Sequence, residues 1–212
     1  RLCLQMHENG LESNNILSLL KDDNRQKRVT GALLMMDKAF LCVYPRKVQE
    51  AKFTDVECKK EIFTIIEQML KSEDDLSVYS AAWCIAWAGF GEADIIPQEA
   101  IADIAERLVE LWISDMSASP NLKRIISWGL ANVCIPGLRI EKKSGLAEVI
   151  ESNFNAPENN KDRIAAVHVA IVANEWSIDE AKLRLKQSVV AQKYGISESR
   201  FLKIMKVVPT YN

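Results

Sequence analysis

The sequence predicts an all-α protein built from stacked helical hairpins, and three observations support this prediction. The 212 residues include only 8 glycines and 6 prolines, which is too few for the frequent turns of a β-sandwich or a barrel. Much of the chain carries apolar residues at helical spacing, with charged residues on the opposite face. Between these amphipathic stretches lie others with almost no charge, and a helix that is apolar all round must be covered all round. Such an alternation is expected where neighbouring hairpins enclose each apolar helix.

Residues 55–71 and 98–114 are the amphipathic stretches with the clearest spacing. In residues 98–114 the apolar side chains recur at i, i+3, i+4 and i+7, and Pro97 favours a helix start. Two residue pairs have the spacing of a capping box, Thr54 with Glu57 and Ser177 with Glu180. Residues 37–53 show weak periodicity, and we interpret them as a loop or a short helix.

The apolar stretches can be aligned with one another without gaps. Their aligned ranges are 27–36, 78–87, 123–132 and 162–171, and each follows a polar turn that suits a helix start. The matched second positions, 28, 79, 124 and 163, are separated by 51, 45 and 39 residues. Repeats of two or three helices have periods of roughly 40 to 47 residues. The alignment therefore predicts about four related hairpins, the first of them formed by residues 14–20 and 25–43.

One aligned stretch carries a family resemblance. From Asp74 to Gly89 the sequence has an Asp-containing turn, small residues inside the helix and a closing glycine. This stretch resembles the second helix of a HEAT repeat, from the HEAT/armadillo-like superfamily of α-helical repeats. The family's pattern has an arginine at the second position, which Arg28, Arg124 and Arg163 supply and Tyr79 replaces. The resemblance covers about residues 14–175 and implies a right-handed α–α superhelix of HEAT-like helical hairpins.

The resemblance also indicates where a partner would bind. In such hairpins the second helices line the inner face, where Arg28, Arg124 and Arg163 would contact a partner. The alternative is that each arginine bonds to an acidic or carbonyl group of a neighbouring unit, since polar networks often serve packing. Trp83 and Trp87 share one helix face and are either core residues or a stacking platform for a ligand.

The C-terminal segment is basic and has two interpretations. Residues 182–206 hold seven basic side chains against one acidic one, and Gly195 with Ser197 gives the turn of a helix-turn-helix-like hairpin. A hairpin at 178–208 either caps the end of a repeat array or binds nucleic acid. The nucleic-acid contacts would be Lys182, Lys186, Lys193, Arg200, Lys203 and Lys206. We therefore divide the chain into a repeat array, 1–175, and a basic capping hairpin, 176–212, within one compact domain.

Little in the sequence points to catalysis. Of the two histidines, His168 lies in an apolar stretch where a buried, hydrogen-bonded histidine is expected. No glycine-rich phosphate loop, zinc-protease motif or nucleophile elbow occurs. Some HEAT-like proteins are DNA glycosylases with a catalytic aspartate near a tryptophan, and Asp115 after Trp112 is the nearest counterpart here. We expect no enzymatic activity, no cofactor and no metal site, with a glycosylase as an open alternative.

The expected function is recognition of another protein. Five cysteines without Cys-x-x-Cys spacing are typical of a reducing compartment, so the sequence predicts a cytoplasmic protein. No apolar stretch has the length that would predict a membrane span. The chain begins at Arg1, and we expect it to be a region of a larger sensor-type or signalling NTPase. Its partner would be a separate protein or the rest of that parent chain, with nucleic-acid binding as the alternative.

Overall fold

The computed structural model describes residues 12–43, 55–89, 95–114, 119–134, 137–155 and 160–187. These residues form nine α-helices and one 3-10 turn, without a β-strand among them. The helices are α1 (Ser13–Leu20), α2 (Arg25–Val43), α3 (Val56–Leu70), α4 (Asp75–Ala88), α5 (Ile101–Ile113), α6 (Pro120–Val133), α7 (Leu146–Asn155), α8 (Asn160–Val172) and α9 (Ile178–Gln187). The predicted all-α fold class is confirmed.

The first eight helices form two layers. The even-numbered helices α2, α4, α6 and α8 pack against one another in series, and we call them the even layer. The odd-numbered helices α1, α3, α5 and α7 form the other layer, and each also packs on the even helix that follows it. Four helical hairpins therefore lie side by side, and α9 packs on α8 at the end of the series.

The four aligned apolar stretches all lie in the even layer. In α4 no charged residue follows Asp75, and nine of the fourteen helical residues are buried. Each inner even helix is covered by an even helix on either side and by its own odd partner. This enclosure explains why these helices are apolar on nearly every face.

Two glycines let the layers approach closely. A Cβ atom on Gly31 of α2 would lie 2.9 Å from Leu20 Cγ in α1. A Cβ atom on Gly129 of α6 would lie 3.1 Å from Leu108 Cδ1 in α5. The odd and even helices of these two hairpins therefore touch where a larger residue would hold them apart.

The amphipathic helix predicted at 98–114 is present with a modified start. Residues Gln98–Ala100 form a 3-10 turn behind Pro97, and the α-helix runs from Ile101 to Ile113. Its apolar stripe is buried and consists of Ile104, Ala105, Leu108, Val109, Leu111 and Trp112. The stripe packs α5 against α6 in its own hairpin and against its neighbours in the odd layer.

The N-terminal cap of α9 agrees with the sequence prediction, whereas that of α3 differs from it. The Asp55 carboxylate accepts from the Cys58 amide at 2.9 Å and caps α3, so the predicted Thr54–Glu57 box is wrong by one residue. Aspartate is at least as good an N-cap as threonine, which favours the later start. Ser177 does cap α9, because its hydroxyl accepts from the Glu180 amide at 3.1 Å.

Helix α2 has the bounds 25–43 predicted for the first hairpin, and the separate interpretation of residues 37–53 as a loop or a short helix is wrong for 37–43. Residues 37–43 continue the helix instead of forming a loop, whereas 44–53 lie outside the described residues. The charged pair Asp37 and Lys38 weakens the apolar pattern here. Lys38 is nevertheless only 4% exposed, and its ammonium group donates to Ser13 Oγ in α1 at 3.0 Å. The sequence therefore predicts an exposed polar side chain at Lys38, whereas the structure buries it in a hydrogen bond to the other helix of the hairpin.

Candidate functional site

Five aromatic rings meet on one face of the even layer. Phe40 lies in α2, Tyr79, Trp83 and Trp87 lie in α4, and Trp128 lies in α6; we call this group the aromatic strip. Ring centroids are 4.8 Å apart for Phe40 and Trp87, 5.0 Å for Trp87 and Trp128, and 5.3 Å for Trp83 and Trp128. Tyr79 extends the group along α4, 6.5 Å from Trp83. All five side chains are half-buried.

Residue spacing within α4 and the alignment of α4 with α6 explain why these rings are in contact. Leu76, Tyr79, Trp83 and Trp87 follow one another at intervals of three or four residues, so they lie along one face of α4. Trp83 and Trp128 occupy the same position in the aligned helices, and α4 packs directly against α6. Neighbouring hairpins therefore bring tryptophans from matching sequence positions into contact.

The rings support one another through edge-to-face contacts. Interplanar angles run from 61° for Trp87 with Trp128 to 89° for Phe40 with Trp87. Such arrangements are favourable because the positive edge of one ring meets the negative face of the next. The interpretation of Trp83 and Trp87 as packing residues applies in part, since each ring packs against its neighbours and keeps some exposed surface, whereas a stacking platform for a ligand stays a prediction.

The other two tryptophans belong to the core. Trp112 is 3% exposed, and its indole nitrogen donates to Ser127 Oγ at 3.2 Å. Trp176 is 5% exposed and lies edge-on to Phe154 at 5.1 Å. The guanidinium of Arg184 covers its ring at 4.3 Å.

The three arginines at the matched position have different environments. Arg28 donates to the carbonyl oxygens of Asp22 and Asp23 at 3.0 and 2.7 Å, across the turn between α1 and α2. Arg163 is 1% exposed, and its Nε donates to the Phe154 carbonyl of α7 at 3.0 Å. Arg124 is exposed, one turn before Trp128 on α6, and among the described residues no ion pair holds it.

This comparison separates the partner-binding candidates. Arg28 bonds to the turn before its own helix and Arg163 connects α8 to α7, and the buried guanidinium of Arg163 is out of reach of a surface partner. Of the three, Arg124 alone is exposed, and it lies beside the aromatic strip.

The described part of the basic segment is limited to α9. Lys182 Nζ lies 3.5 Å from Asp179 Oδ1. Lys186 is exposed and also interacts with another group of the chain. Arg184 lies between them and forms ion pairs with Glu151 at 2.6 Å and Glu180 at 2.9 Å. The other candidates, Lys193, Arg200, Lys203 and Lys206, lie outside the described residues, as does Asp115.

Burial keeps one histidine and two cysteines of the described ranges in their neutral forms. His168 is 7% exposed, and desolvation lowers its pKa to about 4, so the ring is neutral at pH 7. Burial raises the pKa of the Cys134 thiol to about 12 and that of Cys84 further still, which makes both poor nucleophiles. No cluster of His, Cys, Asp or Glu in the described part of the chain is arranged to hold a metal ion. The helices described there are also too short or too polar to cross a membrane.

One open pocket of about 370 Å³ lies between the α1–α2 turn and the end of α3. Arg28, Ser72 and Ser77 contribute polar groups to its lining. These groups are already hydrogen-bonded within the chain, Ser77 Oγ to Asp74 at 2.6 Å and Ser72 Oγ to the Asp74 amide at 3.1 Å. The pocket therefore offers a ligand fewer polar contacts than its lining indicates.

Comparison with known proteins adds no relative, because no family model, curated protein or solved structure matches the chain.

Proposed function

We propose that the chain is a non-catalytic recognition module that binds a segment of a protein partner across the aromatic strip. In this proposal the four hairpins form a right-handed HEAT-like superhelix, and the even layer is its inner surface. The serial packing of the aligned helices supports this arrangement. The proposed setting is the cytoplasm, as a region of a larger sensor-type protein, and the free buried cysteines Cys58, Cys84 and Cys134 are compatible with it.

The observation that carries the proposal is the position of half-buried aromatic rings on three consecutive even helices. Tryptophan and tyrosine are the residues most often found at binding hot spots, because each buries a large rigid area at low entropic cost. Rings that are already fixed by their neighbours lose little further freedom when a partner binds. A row of such residues across several repeats is typical of the extended surfaces through which solenoid proteins bind their partners.

The test is a selection of linear peptides from a random display library on the 212-residue chain. Peptides that bind should lose at least about tenfold in affinity when Trp83→Ala removes the ring between Tyr79 and Trp128, since a hot-spot side chain is worth about 2 kcal/mol or more and about 1.4 kcal/mol is tenfold. Tyr79→Ala, which removes a ring at the end of the strip, should weaken binding to a smaller extent. Fluorescence anisotropy with labelled peptides measures both effects.

The matched control is Leu183→Ala, which truncates an apolar side chain that is 54% exposed on α9. This change should leave peptide affinity unaltered, and circular dichroism should show the same helical content in all three variants. If no peptide can be selected, or if Trp83→Ala and Leu183→Ala act alike, the proposal is wrong.

Binding of nucleic acid through the basic C-terminal segment stays a prediction. Helix α9 brings Lys182 and Lys186 to the surface at the start of that segment. A steep fall of DNA affinity with rising salt would distinguish this function from peptide recognition, because phosphate contacts release counterions.

A further inference from the structure

The geometry of the aromatic strip limits what it binds. Centroid separations of 4.8–5.3 Å between Phe40, Trp87, Trp128 and Trp83 mean that neighbouring rings touch. No cation or planar base fits between rings in direct contact, so the strip is neither a cage nor an intercalation slot. Its exposed surface instead suits apolar side chains laid across it, as on one face of an amphipathic segment.

Among the described residues near the strip, the exposed charge that forms no ion pair is positive. Helix α4 has no charged residue from Leu76 to Ala88, and Lys123 and Arg124 are the charged residues of α6. Lys123, and Asp37 on α2, are engaged in contacts within the chain. Arg124 is exposed, forms no ion pair with another described residue, and lies one turn from Trp128 on the same side of α6. Within the described part of the chain, the strip therefore combines an apolar surface with one available positive charge at its edge.

The chain's own C-terminal stretch is a poor match for this surface. Residues 188–212 hold four basic side chains and one acidic one, so they would bring like charge towards Arg124. Like charges in juxtaposition are unfavourable at an interface. Charge complementarity instead favours a segment with carboxylates beside its apolar residues.

We propose that the partner of the aromatic strip is an acidic amphipathic segment of another protein, with apolar side chains on the strip and a carboxylate paired with Arg124. This inference rests on the proposed function and adds the chemistry of the partner to it. Arg124 would set orientation and preference, and the aromatic rings would supply most of the affinity.

The experiment repeats the peptide selection on the wild-type chain and on two charge-reversal variants, Arg124→Glu and Arg139→Glu. Arg139 is exposed in the stretch before α7, so its reversal changes net charge by the same amount away from the strip. Peptides selected on the wild type should be enriched in Asp and Glu next to apolar residues. For individual acidic peptides, Arg124→Glu should lower the affinity about fivefold, and Arg139→Glu should have little effect.

Two further results support or overturn the inference. A selected peptide in which Lys replaces a Glu should bind the Arg124→Glu variant again, because the charges are then opposite once more. Added salt should reduce the preference of the wild type for acidic peptides, because it screens the charge interaction. Absence of acidic enrichment, or an equal effect of both reversals, overturns the inference. If the same peptides still depend on Trp83, the proposed function survives that failure; if none depends on Trp83, the proposed function fails instead.

Discussion

The residue at the matched position of the four even helices has a different environment in each repeat. Arg28 bonds to the carbonyls of a turn, Arg163 is buried against Phe154, and Arg124 is exposed. Tyr79 takes the same place in α4 and joins the aromatic strip. A shared position in the aligned helices therefore does not define a shared role, because the groups within reach of that position differ from one hairpin to the next.

His168 gives a residue-scale prediction about pH. Its pKa is about 4 in the folded chain because burial disfavours the charged ring, against about 6.5 when unfolded. Between these values the unfolded chain binds a proton that the folded chain does not, so stability falls as the pH falls. The loss should be complete below about pH 4 and reach about 3 kcal/mol.

The measurement is the free energy of unfolding in urea between pH 7 and pH 4, for the wild type and for His168→Gln. The variant lacks the titrating ring and should lose less stability over this range. Parallel curves for the two proteins would contradict the prediction, since other groups titrate in both.

At the scale of single elements, the close contact of α1 with α2 predicts the effect of Gly31→Ala. Alanine usually stabilises a helix by about 1 kcal/mol relative to glycine. Here the added Cβ would meet Leu20 Cγ at 2.9 Å and the Leu20 amide nitrogen at 3.1 Å. The amide nitrogen belongs to the backbone, so it cannot move aside by a change of rotamer as a side-chain atom can. We expect a net loss of roughly 1–3 kcal/mol from overpacking.

Urea unfolding of Gly31→Ala beside Thr30→Ala checks this expectation. Thr30 is the preceding residue of the same helix, and its hydroxyl donates only to the Gln26 carbonyl in its own helix. Thr30→Ala should be neutral or slightly stabilising. If Gly31→Ala has a higher free energy of unfolding than the wild type, the prediction is wrong, because the two helices can then move apart at no cost.

The elements were predictable from sequence because their signals are local. The spacing of apolar residues and the distribution of charged ones predicted α5 and the aligned even helices. The polar turns predicted where the even helices begin. Residues 37–43 were misread because Lys38 looks like surface, and its pairing with Ser13 depends on the neighbouring helix. The aromatic strip was predictable only in part: Trp83 and Trp87 share a face by spacing, but contact with Trp128 and Phe40 needs lateral packing between hairpins.

At the scale of the whole molecule, serial packing predicts a gradient of protection from hydrogen exchange. Helix α4 is enclosed by α2, α3 and α6, whereas α9 packs on α8 at the end of the series. Opening α9 exposes less buried surface than opening α4, and local stability follows such burial. Exchange followed by mass spectrometry should be slowest in α4 and α6 and fastest in α9 among the described helices. Equal protection of α9 and α4 would contradict a series of stacked hairpins.

The three indoles of Trp83, Trp87 and Trp128 are close enough for their electronic transitions to couple. Coupled chromophores give a pair of circular-dichroism bands of opposite sign, and the strength of the pair depends on the relative orientation of the rings. If a partner binds on the aromatic strip and changes the orientation of these rings, the circular dichroism of the chain would report that binding without a label.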